Sequence, residues 1–329
     1  MQKITSEQLK SKAIALLNEG KVASVLGWSY GDFAYDVTPK LFKSQEEIEK
    51  GLIYTDFCGA NLSKYLVSKK TDGGVLVFLK PCDTYSFNQL LSEHRFEREN
   101  VYAVAIPCNG MVDINKVKNQ VKGAILSFEE KEEGLFVKTI YNENLLLPYE
   151  SILLEKCMSC KSKKHVAYDE LMGESGDILE SNRFDEVARL EGLSPEERFE
   201  FWQNELSRCI RCNACRDACP ACTCEKCVFD NPSSGLENKA PVNSFEEQMF
   251  HIIRALHVAG RCTDCGECSR ACPQGIPLHL INRKLIKDMN RLYGEYQAGE
   301  NVGELGPLVN YTVNDPEPNE AIQRRDNNA

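Results

Sequence analysis

Residues 208–227 read "RCIRCNACRDACPACTCEKC", seven cysteines in twenty residues. The first four follow the spacing C-x2-C-x2-C-x3-C-P: Cys209, Cys212, Cys215 and Cys219, then Pro220. The same frame returns in "CTDCGECSRACP" (262–273), with Cys262, Cys265, Cys268, Cys272 and Pro273. A [4Fe–4S] cube needs four thiolates at its corners, and C-x2-C-x2-C lets one loop supply three of them. The fourth cysteine of such a run ligates the other cluster of a pair. The spacing therefore predicts one cluster on Cys209, Cys212, Cys215 and Cys272. A second is expected on Cys262, Cys265, Cys268 and Cys219.

Two other uses of clustered cysteines compete. Structural zinc takes paired C-x2-C units at tetrahedral sites and fits the double frame with both prolines poorly. Disulfides need an oxidising compartment. The first residues, "MQKITSEQLKSKAIALLNEG", form an amphipathic, lysine-bearing helix pattern without the apolar centre of a signal peptide. No apolar run approaches the length of a membrane span. The expected location is cytoplasmic, where thiols stay reduced. With a net charge of −10, the 329-residue chain is no nucleic-acid binder by composition. Its 16 cysteines point to metal or redox chemistry.

Upstream, residues 1–195 read as an α/β domain with a mostly parallel sheet. "KVASVLGWS", "GGVLVFLK" and "NVYAVAIP" have strand character, and the last two are continuous apolar runs suited to burial on both faces. "SEQLKSKAIALLNEG", "NLSKYLVSKK" and "TYSFNQLLSEHRF" read as helices. "VKGAILSF" and "GLFVKTIY" bracket a turn and read as an antiparallel pair. A helical dicluster ferredoxin-like domain is expected over 196–298. It contains helices at "SPEERFEFWQNELSR", capped by Ser194, at "SFEEQMFHIIRALHVAG", and at "PLHLINRKLIKDMNRLYGEY". The "NPSSGLENKAP" stretch reads as a connection. Residues 299–329 read as an extended tail.

Five cysteines precede the double frame. Cys82, in "FLKPCDTYSF", and Cys108, in "VAIPCNGMVD", each follow a buried strand, where parallel sheets place their ligand sites. Cys157 and Cys160 form a C-x2-C pair. Together the four make a full ligand set for a third cluster. Cys58, Cys222, Cys224 and Cys227 are left over. The C-x-C-x2-C trio is a candidate fourth metal site, a substitute ligand source, or a group of packed thiols. Arg208, Arg211, Arg216, Arg261 and Arg270 interleave with the ligands; pairing with Asp217, Asp264 and Glu267 or solvation is the expectation for each.

The order "KPCD", "IPCNGMVD" and "EKCMSCKSKKHVAYDELMGE" resembles the β subunits of deazaflavin-coenzyme-dependent hydrogenases and formate dehydrogenases over roughly residues 20–180. "RCIRCNACRDACPACTCEKC" resembles the formate dehydrogenase version. "AGRCTDCGECSRACPQGIPLHLINRKL" is similar to iron–sulfur subunits of heterodisulfide-reductase-type complexes. The resemblance implies [4Fe–4S] clusters, on Cys82, Cys108, Cys157 and Cys160 in the first domain, and electron transfer between a partner enzyme and a flavin or deazaflavin. Flavin-binding members start with a "GECGGA"-like run; residues 1–30 have none, so FAD is not expected. The leading expectation is an electron-transfer subunit of a cytosolic anaerobic oxidoreductase complex, with flavoprotein, hydrogenase or formate dehydrogenase subunits as partners. Alternatives are a flavin-containing reductase acting on a deazaflavin or NAD(P)H, and a zinc-stabilised scaffold.

Overall fold

The computed structural model describes residues 3–67, 73–179, 182–231 and 244–310. The "NPSSGLENKAP" connection and the tail beyond residue 310 lie almost wholly outside these. The chain divides into two compact units: Met1–Thr84 with Phe96–Ser181, and Tyr85–Arg95 with Asn182–Ala329.

The first unit opens with α1 (Ser6–Asn18). Thr5 and Gln8 close a reciprocal capping box on its first amides, and Leu9, Ala13 and Leu16 form its buried stripe. Next come β1 (Ser24–Tyr30), β2 (Val37–Phe42), α2 (Gln45–Gly51), a 3-10 turn at Leu62–Leu66, β3 (Val75–Leu79), α3 (Pro81–Ser92) and β4 (Val101–Ala105). α4 (Ile114–Lys118) leads into β5 (Ile125–Glu130), β6 (Gly134–Thr139) and β7 (Asn144–Pro148), followed by α5 (Tyr149–Ile152), α6 (Glu155–Met158) and β8 (Glu170–Leu171).

The main sheet has the order β2-β1-β3-β4-β8. β1, β3, β4 and β8 run parallel, and only the edge strand β2 is antiparallel. Every residue of β3 is buried, as its unbroken apolar run requires of a strand covered on both faces. Pro39 is tolerated because β2 is an edge. The expected antiparallel pair β5–β6 gains a third strand, β7, making a separate three-stranded sheet. The "NLSKYLVSKK" stretch, expected as a helix, forms a 3-10 turn over Leu62–Leu66, and residues 68–70 lie outside the described residues.

The second unit is helical: α7 (Asp185–Glu191), α8 (Pro195–Ser207), α9 (Ala214–Asp217), α10 (Ser244–His257), α11 (Glu267–Arg270) and α12 (His279–Tyr293). Ser194 and Glu197 form the capping box of α8, with Pro195 in its first turn. Leu206, Phe229, Phe250, Ile276 and Leu278 make its core, with Cys215 and Cys268 among them. The later residues of α3 belong here: Glu93 binds Arg261 at 2.6 Å and Ser86 meets Thr263 at 2.9 Å. Among the described residues no helix is long and apolar enough to cross a membrane.

Candidate metal centres

The two cysteine frames fold alike. In each, the third residue has positive φ, Arg211 at 52° and Asp264 at 55°, and so does the fifth, Asn213 at 61° and Gly266 at 66°. Asn, Asp and Gly tolerate this left-handed region and arginine does not favour it. The twist at the third residue aims its amide at the first thiol of the frame. Arg211 N–H donates to Cys209 Sγ at 3.4 Å, and Asp264 N–H reaches Cys262. The fifth residue then starts a one-turn helix that carries the third cysteine, Cys215 on α9 and Cys268 on α11. Each third residue is anchored. Arg211 stacks on Phe250 at 4.1 Å, while the buried Asp264 carboxylate takes Arg183 at 2.6 Å and Arg283 at 2.8 Å.

The fourth cysteine of each run lies beside the other frame. Cys209, Cys212, Cys215 and Cys272 line one small cavity, with His251, Phe250 and Ile276. Cys219 packs with Cys262 against Val258 and Ala221; Cys262 and Cys268 both feel its charge. Burial raises the thiols: Cys215 to about 11, Cys262 and Cys268 to about 12. Iron must therefore displace protons when it binds them.

α10 contributes two residues that the sequence reading passed over. His251 Nε2 sits 3.3 Å from Cys209 Sγ, and burial drops its pKa to about 3, so the ring is neutral. Arg254 is 3% exposed and donates to the Cys215 carbonyl at 2.8 Å. No described carboxylate pairs with it. The groups that bear on its charge are thiols of both frames, Cys219, Cys268 and Cys215, with the following Cys222. A buried guanidinium facing protonated thiols is a heavy penalty. Facing cluster thiolates, it is compensated. Arg254 Nε and Thr223 Oγ1 are buried donors without hydrogen-bond partners, as expected of groups placed to serve a cluster's sulfurs. These residues fit a cluster pair. The signal in the sequence was polar residues at positions 247, 251 and 254 on the helix face that carries Phe250, Ala255 and Val258.

The arginines between the ligands are mostly paired. Arg216 binds Asp217 at 3.2 Å and Asp230 at 2.7 Å, Arg270 binds Glu267 at 2.8 Å, Arg261 binds Glu93, and Arg208 binds Glu205.

In the first unit, Leu79 of β3 pairs with Ala105 of β4. Cys82 and Cys108 each follow that pair by three residues, so both stand past the carboxyl ends of adjacent parallel strands. Met111 N–H donates to Cys157 Sγ at 3.3 Å, and Leu154 N–H to Met111 O at 2.8 Å, which ties α6 to the segment after Cys108. Lys163 feels the charge of Cys108, Cys160, Cys157 and Cys82 together. Burial raises all three thiols Cys82, Cys108 and Cys157, the last to about 11. Cys58 is buried against Thr55 with its thiol lifted to about 12, and its carbonyl accepts from Lys80 Nζ at 3.0 Å. Among the described residues no three Cys, His, Asp or Glu gather at the spacing of a single metal ion.

A cavity of about 530 Å³ adjoins the Cys108 segment. Pro107, Asn109, Gly110, Tyr54, Asp56 and Tyr149 line it, with Lys3, which bonds Asp56 at 2.5 Å.

Comparison with known proteins agrees with these features. Residues 205–276 match a 4Fe-4S dicluster domain. The chain is 25% identical to the F420-dependent formate dehydrogenase subunit beta of Methanocaldococcus jannaschii, over 90% of this chain and 92% of that one. It is 24% identical to the F420-dependent formate dehydrogenase 1 subunit beta of Methanococcus maripaludis, over 86% and 88%. The succinate dehydrogenase iron-sulfur subunit of Bacillus subtilis shares 34% identity over 29% of this chain and 39% of that one. A chain of the F420-reducing [NiFe] hydrogenase complex from Methanosarcina barkeri superposes with a TM-score of 0.38 at 14% identity, covering 61% of this chain and 86% of that one, too low a score to speak for a shared fold. The chain is thus a relative of the β subunits of F420-dependent formate dehydrogenases and carries a 4Fe–4S dicluster domain toward its C-terminus.

Proposed function

We propose that this chain is an electron-transfer subunit of an oxidoreductase complex of the formate dehydrogenase or hydrogenase type. It holds [4Fe–4S] clusters crosswise, on Cys209, Cys212, Cys215 and Cys272, and on Cys262, Cys265, Cys268 and Cys219. A third cluster sits on Cys82, Cys108, Cys157 and Cys160. The dicluster unit corresponds to residues 196–298. The observation that carries the reading is Arg254, a buried cation set among thiols of both frames, which metal binding would turn into thiolates. When bound, the clusters take and give single electrons. The protein's share is to fix their thiolates, supply N–H donors such as Arg211 and Asp264, and hold a neutral His251 and a charged Arg254 beside them. Such groups set cluster potentials. No acid–base residue is required for this work.

Anaerobic iron and sulfide analysis tests it. About twelve irons per chain is expected for three cubes, with Cys272→Ala lowering the content by about four. Zinc in their place would end the electron-transfer reading.

The cavity beside Cys108 favours one second reading. Its volume suits a small carrier, which would make this unit the place where a flavin, deazaflavin or nicotinamide meets the third cluster. Stoichiometric flavin in the acid extract of the purified complex would favour that reading over a pure relay.

A further inference from the structure

The loop after Pro220 places its three cysteines in three different surroundings. Cys224 is exposed, and Cys227 packs on the Leu206–Phe250 core. Cys222 turns back. Its N–H donates to the Cys219 carbonyl at 3.1 Å across Pro220 and Ala221. This tight turn sets the two thiols side by side in hydrogen-bond contact. Both pack in the same small cluster as Cys262, Ala221 and Val258. Cys262 is the first ligand of the second frame. Two thiols, Cys219 of the first frame and Cys222 just after it, therefore stand at the one corner that frame would supply to the second cluster. The surroundings treat them as a pair. Arg254 faces Cys222 as well as Cys219. Arg261, fixed by Glu93, donates to the Ala221 carbonyl between them at 3.0 Å. Thr223, next in the chain, has a buried hydroxyl without a partner, a donor suited to a sulfur at this corner.

We propose that Cys222 is a second thiolate for the fourth corner of the cluster on Cys262, Cys265 and Cys268, binding iron when Cys219 is released. The inference rests on the iron–sulfur reading above. The exchange moves no electrons: the Cys219–iron bond breaks and the Cys222–iron bond forms, while the Cys222 proton passes to Cys219. While Cys219 is bound, Cys222 donates its S–H to the ligand sulfur. Donors to cluster sulfur raise the potential, so the S–H of the unbound thiol tunes the cluster's electron affinity.

The test uses the full chain, purified anaerobically, as Cys219→Ala, Cys222→Ala and the double variant, with Cys265→Ala as control. Each single variant at the shared corner should keep wild-type iron and sulfide. The double variant, like Cys265→Ala, should lose about four irons. Mass mapping of iodoacetamide adducts should find Cys222 modified in the wild type and protected in Cys219→Ala. The proposal is overturned if Cys219→Ala alone loses iron, if the double variant keeps it, or if Cys222 is equally modified in both backgrounds. Should Cys219→Ala not fold, Cys222→Ala carries the test by itself. It keeps every assigned ligand but removes one donor, so the potential of that cluster alone should fall, and an unchanged potential overturns the proposal. Wild-type protein without cubane iron would instead refute the underlying reading.

Discussion

Replacing Arg254 by methionine should have opposite effects with and without iron. In protein stripped by a chelator at neutral pH the surrounding thiols are protonated, because burial holds Cys215 near about 11 and Cys268 near about 12. The guanidinium then keeps the Cys215 carbonyl at 2.8 Å as its partner. A buried charge left without a counter-charge costs about 3–5 kcal/mol. Methionine removes that cost but strands the carbonyl, at about 1–3 kcal/mol. The stripped variant should gain about 2 kcal/mol, roughly thirtyfold in the local opening equilibrium. In the loaded protein the balance reverses, since the cation now offsets thiolates and its loss leaves their charge unopposed. The loaded variant should open more readily and release iron faster. Hydrogen exchange by mass spectrometry on α10 peptides reads both states, and chelator-driven iron release gives a second measure. If methionine weakened both states alike, Arg254 would be ordinary packing and the charge argument would fail.

Lys80 and Asp83 form an ion pair at 3.0 Å with side chains 1% and 0% exposed. Lys80→Met should cost about 3–5 kcal/mol by stranding the carboxylate, and Lys80→Met with Asp83→Asn should recover part of it; urea unfolding measures both. His165 is buried, bonded through Nε2 to the Ile106 carbonyl at 2.9 Å and through Nδ1 to Ser175 at 3.1 Å, and burial lowers its pKa despite the nearby Asp83. A lowered histidine pKa means its contribution is complete above the unfolded value near 6.5 and is lost as pH falls through the folded one. First-unit stability should drop on acidification through that window, and His165→Gln should flatten the dependence; an NMR titration of His165 at or above its ordinary value would contradict this. Gly299 has φ +76°, and a Cβ there would lie 1.9 Å from the Tyr85 carbonyl. Gly299→Ala should cost more than about 1 kcal/mol and raise proteolysis near residue 299, while the metal content stays unchanged.

Much of the first unit was legible because its signals are local. The apolar run of β3 and the spacing of α1 each state their own burial. β2 was missed because its alternating, proline-containing "VTPKLF" is an edge-strand pattern with little apolar content. β7 was missed because five residues after a turn carry too short a period to read. Nothing local signals that Tyr85–Arg95 belongs with the second unit; that follows from partners such as Arg261 and Thr263, far along the chain. The ligand spacing of the two frames is visible as text, since loop geometry demands it. Arg254 and His251 were hidden because a helical pattern shows which face is apolar, and polar residues on that face reveal their purpose only once their neighbours are known.

The interleaving of the frames bears on how the protein is made. A ribosome delivers Cys209, Cys212 and Cys215 well before Cys272, and Cys219 well before the loop it completes. If the frames ligate crosswise as proposed, neither site can close until the second frame has emerged, so iron insertion becomes a late event, after α10 has emerged and Arg254 is in place. On that reading truncation before residue 268 would cost both cubes and truncation between 268 and 272 the first, and the seven thiols of residues 209–227 would need shielding from oxidants until the second frame arrives.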